Sequence, residues 1–275
     1  MSLGPRLVDT TSVASVVTLG AINFNIARLT GPAIAGWIIA FYGIKSSLFV
    51  QILCYPPFLL ALSFLRPRSE LALNVQKEAF MKAFTSGILY AFKSPLILKA
   101  LLITSLSSFL LRSVLEILPV IADGLYERGA TGLGLLTSCA GFGALLAGMA
   151  KAFSSSQPPG VLPQYVPVSI FFGFAFIPLI GLCDSWSLTL GFISYLGFAG
   201  TLSGISLQSA IQMELEDNLR GRVMSLWTMA AIGGTALGAI FLGGFTDYLG
   251  VVPALVLTGS IGCLLLVTLL NLGDN

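Results

Sequence analysis

The sequence predicts an all-α integral membrane protein with eight transmembrane helices. Hydrophobic residues make up 56% of the chain and charged residues only 9%. The mean hydropathy is +0.93. Apolar runs near the ~20 residues that a bilayer-spanning helix needs recur from end to end. A soluble domain carries roughly 25% charged residues, so this chain has too few to coat a water-facing surface, and more apolar side chains than one core could bury. The net charge of +2 excludes the dense basic face that a nucleic-acid partner requires. Histidine is absent, which removes the commonest general base, metal ligand and pH switch together.

The spans fall at 13–42, 44–65, 95–122, 130–152, 164–183, 187–213, 222–246 and 251–271. The first, third and sixth are long enough to tilt or to project beyond the hydrocarbon. Pro56 and Pro57 are expected to kink the second. Gly, Ser and Thr are frequent within the runs, as helices that pack closely in lipid require. The groups Gly141/Gly143/Gly148, Gly197/Gly200/Gly204 and Gly234/Gly238 mark expected close contacts. Cys54, Cys139, Cys183 and Cys263 sit in or at the end of apolar runs with no CxxC spacing. They read as small hydrophobes, and no metal site or cofactor is expected. The start, MSLGPRLVDTTS, lacks the pattern of a cleavable signal peptide.

Basic residues orient the spans. With the N-terminus in the cytoplasm, the cytoplasmic loops collect Arg6, Arg66, Arg68, Lys77, Lys82, Lys93, Lys99, Lys151, Arg220 and Arg222, and the opposite side keeps Lys45 and Arg128. Eight spans then place both termini in the cytoplasm of a cell (inner) membrane protein. The longest polar connection, 66–94, holds Phe80, Phe84 and Ile88 at i, i+4 and i+8. This spacing suits an amphipathic helix on the cytoplasmic membrane surface, with a solvated linker as the alternative.

GPAIAGWIIAFYG (31–43) and GAIFLGGFTDYLG (238–250) align without gaps, placing Gly31, Gly36 and Gly43 on Gly238, Gly243 and Gly250. The first span thereby matches the seventh and the second the eighth, a period of six spans. A two-copy protein would have twelve, so the chain is expected to lack the first four.

Local strings resemble the major facilitator superfamily, in the branch that includes the enterobactin exporters. AINFNIARLTGPAIAGWII resembles that branch's fifth helix. ILPVIADGLYERGATGLGLLTSCAGFGALLAG resembles its seventh and eighth, and IQMELEDNLRGRVMSLWTMAAIGGTALGAIFLGGFTDYLG its tenth-to-eleventh connection. The loop around Lys151, GMAKAFSSSQPPG, departs from the family's signature. The resemblance implies that residues 1–65 are the last two helices of the N-terminal half, 66–94 the cytoplasmic central loop, and 95–275 a complete six-helix C-terminal half. It implies proton-driven efflux of small amphipathic, drug- or siderophore-like molecules, carried out by an antiporter and not by an enzyme. A non-transporting remnant or partner subunit, and an intramembrane enzyme, are the competing readings.

Ionisable side chains within spans cost at least ~2.5–3.5 kcal/mol at mid-membrane and mark functional candidates. Arg28 lies within the first span with Asn25 three residues before it. Arg112 and Glu116 lie four apart on the third, where Ser105 and Ser108 extend the stripe at helical spacing. The sixth repeats the pattern with Thr201, Gly204, Gln208 and Gln212. The resemblance implies that these helices line a central cavity, with Glu116 as a proton-carrying carboxylate. A structural Arg112–Glu116 pair is the alternative. Glu214, Glu216, Asp217, Arg220 and Arg222 crowd the turn between the sixth and seventh spans as a cytoplasmic gate, the alternative being a solvated loop. A single copy with so little of one cavity wall is expected to self-associate and not to transport alone.

Overall fold

The computed structural model divides the chain into two compact units, Met1–Lys77 and Glu78–Asn275. It describes Ile38, Tyr42, Lys45, Ser46 and residues 48–64 of the first unit, and residues 80–152, 160–215 and 217–271 of the second. In the first unit, α1 (Leu48–Phe64) is apolar and runs on through Pro56 and Pro57. Apart from Ile38 and Tyr42, the expected span 13–42 lies outside the described residues.

Among the described residues of the second unit, six helices are long and apolar enough to cross a membrane. They are α3 (Pro95–Glu116), α5 (Gly129–Ala152), α6 (Tyr165–Leu182), α7 (Trp186–Glu214), α8 (Gly221–Leu249) and α9 (Val251–Asn271). Two shorter helices are described beside them: α2 (Phe80–Lys93) before α3, and α4 (Leu118–Gly124) after it. The start of α3 is set by Ser94, whose side chain accepts from the Ile97 amide at 3.4 Å, and by Pro95 in the first turn. The expected span 95–122 is not one helix. It breaks at Ile117 (φ −95°, ψ 15°), because Pro119 has no amide to continue the ladder and instead opens α4.

Helix α3 stands at the centre of the unit, touching α6, α7, α8 and α9. Its Ile97, Leu111 and Val114 are fully enclosed. Small residues decide how near the others come. A Cβ on Gly143 of α5 would meet the Ser194 carbonyl of α7, and one on Gly197 of α7 would meet the Ala140 carbonyl of α5. Gly238 of α8 lies likewise against the Phe109 carbonyl of α3. Gly148, also expected at a contact, has open space around it. Of the glycines shared with 31–43, Gly250 has a second reason to be glycine: its φ of +88° turns the chain from α8 into α9.

Helix α2 packs on the start of α8, where a Cβ on Gly87 would stand 3.4 Å from the Arg222 backbone. Gly87 and Ala91 are buried against it, while Leu89 (60%) and Phe92 (68%) are exposed on the far face. Ile88, from the face expected to be apolar, is half-buried.

At the end of the bundle where α4 meets α5, the chain turns through Glu127 (φ +51°) and Gly129 (φ +49°). Tyr126 fastens this turn to the α6–α7 turn: its hydroxyl donates to the Cys183 carbonyl at 2.8 Å and lies 2.6 Å from Thr189 Oγ1. Trp186 meets the Tyr126 ring edge-on at 5.1 Å and carries the Arg128 guanidinium 4.7 Å above its own ring. Removing the ring in Trp186→Ala should lower stability by about 2 kcal/mol, as a half-buried indole and one cation–π contact predict. Tyr126→Phe should cost about 1 kcal/mol for its hydrogen bonds. Thermal unfolding in detergent measures both, and an unchanged midpoint for Trp186→Ala would show that the clasp is ornamental.

Candidate transport pathway

The polar residues of α3 are arranged by a π-turn at Ser107–Arg112, in which amides bond back five residues and one extra residue enters the turn. The slack carbonyls are covered locally: the Ser113 hydroxyl lies 2.7 Å from the Phe109 oxygen and 3.3 Å from that of Leu110. The Ser105 and Ser107 hydroxyls donate to the Leu101 and Thr104 carbonyls at 2.9 and 3.1 Å. Ser108 is buried, and its Oγ has no hydrogen-bond partner.

The extra residue splits the stripe that helical spacing alone would keep on one line. Ser108 turns to α8, its Cβ 3.2 Å from where a Gly234 Cβ would stand. Arg112 turns to α7, its Cγ 3.4 Å from the corresponding point on Gly200 and its Nη1 3.9 Å from that on Gly204. Glu116 is exposed at the last residue of α3. The structure therefore sends Ser108 and Arg112 to different neighbours and leaves Glu116 at the helix end.

Depth follows from helix geometry. Side chains of a helix lean toward its N-terminus, so Arg112 reaches back from its Cα toward the Pro95 end. Gly204 lies ten residues before Glu214, the last residue of α7. At 1.5 Å per residue this is about 15 Å along the helix. The guanidinium thus lies against α7 away from either of that helix's ends. On α7, Gln208 is half-buried one turn beyond Gly204, and Gln212 is exposed one turn further. Thr201, beside Gly200, is buried with its hydroxyl unpartnered.

Asn25, Arg28 and Glu216 lie outside the described residues. Asp217 and Arg220 lie on the helical turn that leads into α8, and Arg222 is half-buried there beneath α2. At the same end is a contact that sequence reasoning missed. Lys151 Nζ donates to the Tyr165 hydroxyl at 3.0 Å, and that oxygen lies 3.1 Å from Ser206 Oγ. The chain of contacts joins α5, α6 and α7 across sequence separations that no local spacing reveals.

Comparison with known proteins gives these features a setting. The chain is 25% identical over 280 residues to the enterobactin exporter of Shigella boydii serotype 18, covering 98% of this chain and 64% of that protein. The enterobactin exporter of Escherichia coli O1:K1 is 24% identical over the same shares. The chain thus spans 64% of the length of these curated relatives. No solved structure gives a significant match. A family model described as transmembrane secretion effector, within the major facilitator group, matches residues 3–273. The chain therefore belongs to the transmembrane secretion effector family of major facilitator proteins.

Proposed function

We propose that this protein is a proton-coupled exporter of small amphipathic molecules, drug- or siderophore-like, in the cell (inner) membrane. The observation that carries the reading is an arginine within a membrane-crossing helix, held against two glycines of another, with a track of glutamines leading from it to one helix end. Such a group is costly in lipid and is tolerated where it faces a protein interior or a water-filled path. Relatives that are exporters by name support the same reading.

In this reading the eight spans correspond to helices five to twelve of a twelve-helix fold, with both termini in the cytoplasm. Residues 1–65 supply the last two helices of the N-terminal half, 66–94 the cytoplasmic central loop, and 95–275 the C-terminal half. Asn25, Arg28, Ser105, Ser108, Arg112, Gln208 and Gln212 line the path. Glu116, at the outer end of α3, takes up the driving proton. Glu216, Asp217, Arg220 and Arg222 close the cytoplasmic side, where Lys151, Tyr165 and Ser206 bind the neighbouring helix ends together. A second copy covers the polar face that one copy would leave against lipid.

Inverted membrane vesicles from cells expressing the protein, energised with a proton gradient, test this. They should accumulate a fluorescent amphipathic dye saturably and lose it on addition of an uncoupler. Glu116→Gln should abolish gradient-driven accumulation and keep dye binding. Accumulation no greater than in vesicles lacking the protein would end the reading, and normal coupling in Glu116→Gln would remove that residue's role.

A further inference from the structure

From Gly129 to Cys183, across all of α5, α6 and the connection between them, Lys151 is the only charged residue. It stands in the last turn of α5, at the edge of a membrane-crossing helix. Its Nζ donates to the Tyr165 hydroxyl of α6 at 3.0 Å and lies 5.7 Å from the centre of that ring. The Tyr165 oxygen is 3.1 Å from Ser206 Oγ, and Ser206 is fully buried in α7. A lysine at a membrane edge is ordinarily a loose arm that follows the interface. Here the contacts with α6 and α7 fix where the ammonium stands. The phenol and the serine are neutral, so they leave its charge uncancelled. An ammonium has three donors, and the phenol takes one. The one acid of α7, Glu214, lies eight residues beyond Ser206, about 12 Å along the helix.

An apolar furrow leads from this point along the bundle. Helices α5 and α6 pack on α7 from different sides: Ser194 and Gly197 meet α5, whereas Tyr195, Ala199 and Ser206 meet α6. Between these two faces α7 shows the exposed Ile205 and Gly191, where a Cβ would find nothing within 4 Å. On α6, Tyr165, Phe172 and Phe176 share one helical stripe. From Phe172, itself exposed, ring contacts continue through Phe176 and Tyr195 to Phe198, with centroids 6.4, 4.9 and 6.0 Å apart. Phe172 is seven residues from Tyr165, about 10 Å along α6, within reach of an acyl chain whose head lies at Lys151. We infer that this is a binding site for an anionic phospholipid, with its phosphodiester on the Lys151 ammonium and one acyl chain laid along the rings of α6 and α7. A positioned cation at the membrane edge, with an apolar track leading into the hydrocarbon, matches the two parts of that molecule. A zwitterionic head brings its own cation toward the ammonium and is the weaker ligand. A soluble phosphate shares the head's chemistry but has no use for the track. The inference rests on the membrane-crossing helices and not on the export reading.

The test is lipid retention by the purified full chain, reconstituted in nanodiscs of equimolar phosphatidylglycerol and phosphatidylcholine with matched chains. Lipid that stays bound after release into detergent is counted by native mass spectrometry. Phosphatidylglycerol should be retained about fivefold over phosphatidylcholine, the return of one basic group at a membrane surface. Lys151→Gln should bring the ratio to near one, and Lys151→Arg should keep it. Tyr165→Phe, which frees the lysine arm, should lower it. Lys93→Gln, at the exposed end of α2, should leave it unchanged. In the unaltered protein, inorganic phosphate and glycerophosphoglycerol (the head without its chains) should not displace the retained lipid, and this arm needs no variant to fold. Displacement by either would mean a site for a soluble anion and would overturn the inference. Equal retention of the two lipids would do the same, as would a ratio that survives Lys151→Gln or falls as far in Lys93→Gln.

Discussion

Gly143→Ala and Gly197→Ala should each leave little folded protein, whereas Gly148→Ala and Gly191→Ala should behave as the parent. The added methyl is the same in all four, and only its surroundings differ. At Gly143 it falls on the Ser194 carbonyl and comes within 2.9 Å of the Phe198 amide nitrogen. At Gly197 it falls on the Ala140 carbonyl, with the Ala140 Cα at 2.9 Å. These obstacles are backbone, held in their own helices, so they cannot yield as a flexible side chain does. The whole α5–α7 crossing must open, at a cost of about 3 kcal/mol or more. Gly148 and Gly191 have nothing within 4 Å of the same methyl. Monodisperse yield on size exclusion and the thermal midpoint in detergent measure the contrast. Alanine tolerated equally at 143 and 148 would mean that the two helices do not meet through their backbones.

Ser113→Ala should be the most damaging loss of a single hydroxyl in the second unit. The hydroxyl is shared between the Phe109 and Leu110 carbonyls in the π-turn, where the helix has a carbonyl to spare and lipid offers no donor. Leaving it bare costs about 1–3 kcal/mol. The turn is then driven toward ordinary α-helix, which changes the phase of Arg112 by ~100° relative to the residues before the turn. The expected result is a lower midpoint of thermal unfolding in detergent. Ser113→Thr, which keeps the hydroxyl, should restore it. At the second π-turn (Met229–Gly233), Thr235 donates to the Ala231 carbonyl at 2.8 Å. There Thr235→Ala should cost stability in the same way. A Ser113→Ala protein with an unchanged midpoint would show that the hydroxyl does not hold the turn.

The six long helices were legible because a bilayer imposes one length and one polarity on every span: 164–183 and 251–271 match α6 and α9 to within a residue. Close contacts were legible where small residues repeat at helical spacing, as at Gly143, Gly197 and Gly238. The break at Ile117 had a signal in Pro119, which hydropathy overrides because the residues on either side are equally apolar. The π-turns had none. SSFLLR and MAAIG are acceptable α-helix, and both wider turns lie where α3 and α8 pack together. The polar stripe through Ser105, Ser108 and Arg112 was therefore drawn with a regular period that the backbone does not keep. Lys151, Tyr165 and Ser206 meet only because three helices converge at one end, which spacing along the chain cannot express.

A π-turn is also a place where a helix has absorbed one residue more than its regular phase allows. On either side of Ser107–Arg112 the chain of α3 is ordinary helix, yet the two parts face the bundle at angles that differ by about one residue's rotation. Deleting one residue inside the turn would turn everything beyond it relative to everything before it, with no other side chain replaced. An interior of this kind can thus change what it offers to a passing molecule through a change in length, while the lipid-facing surface nearer the Pro95 end stays as it was.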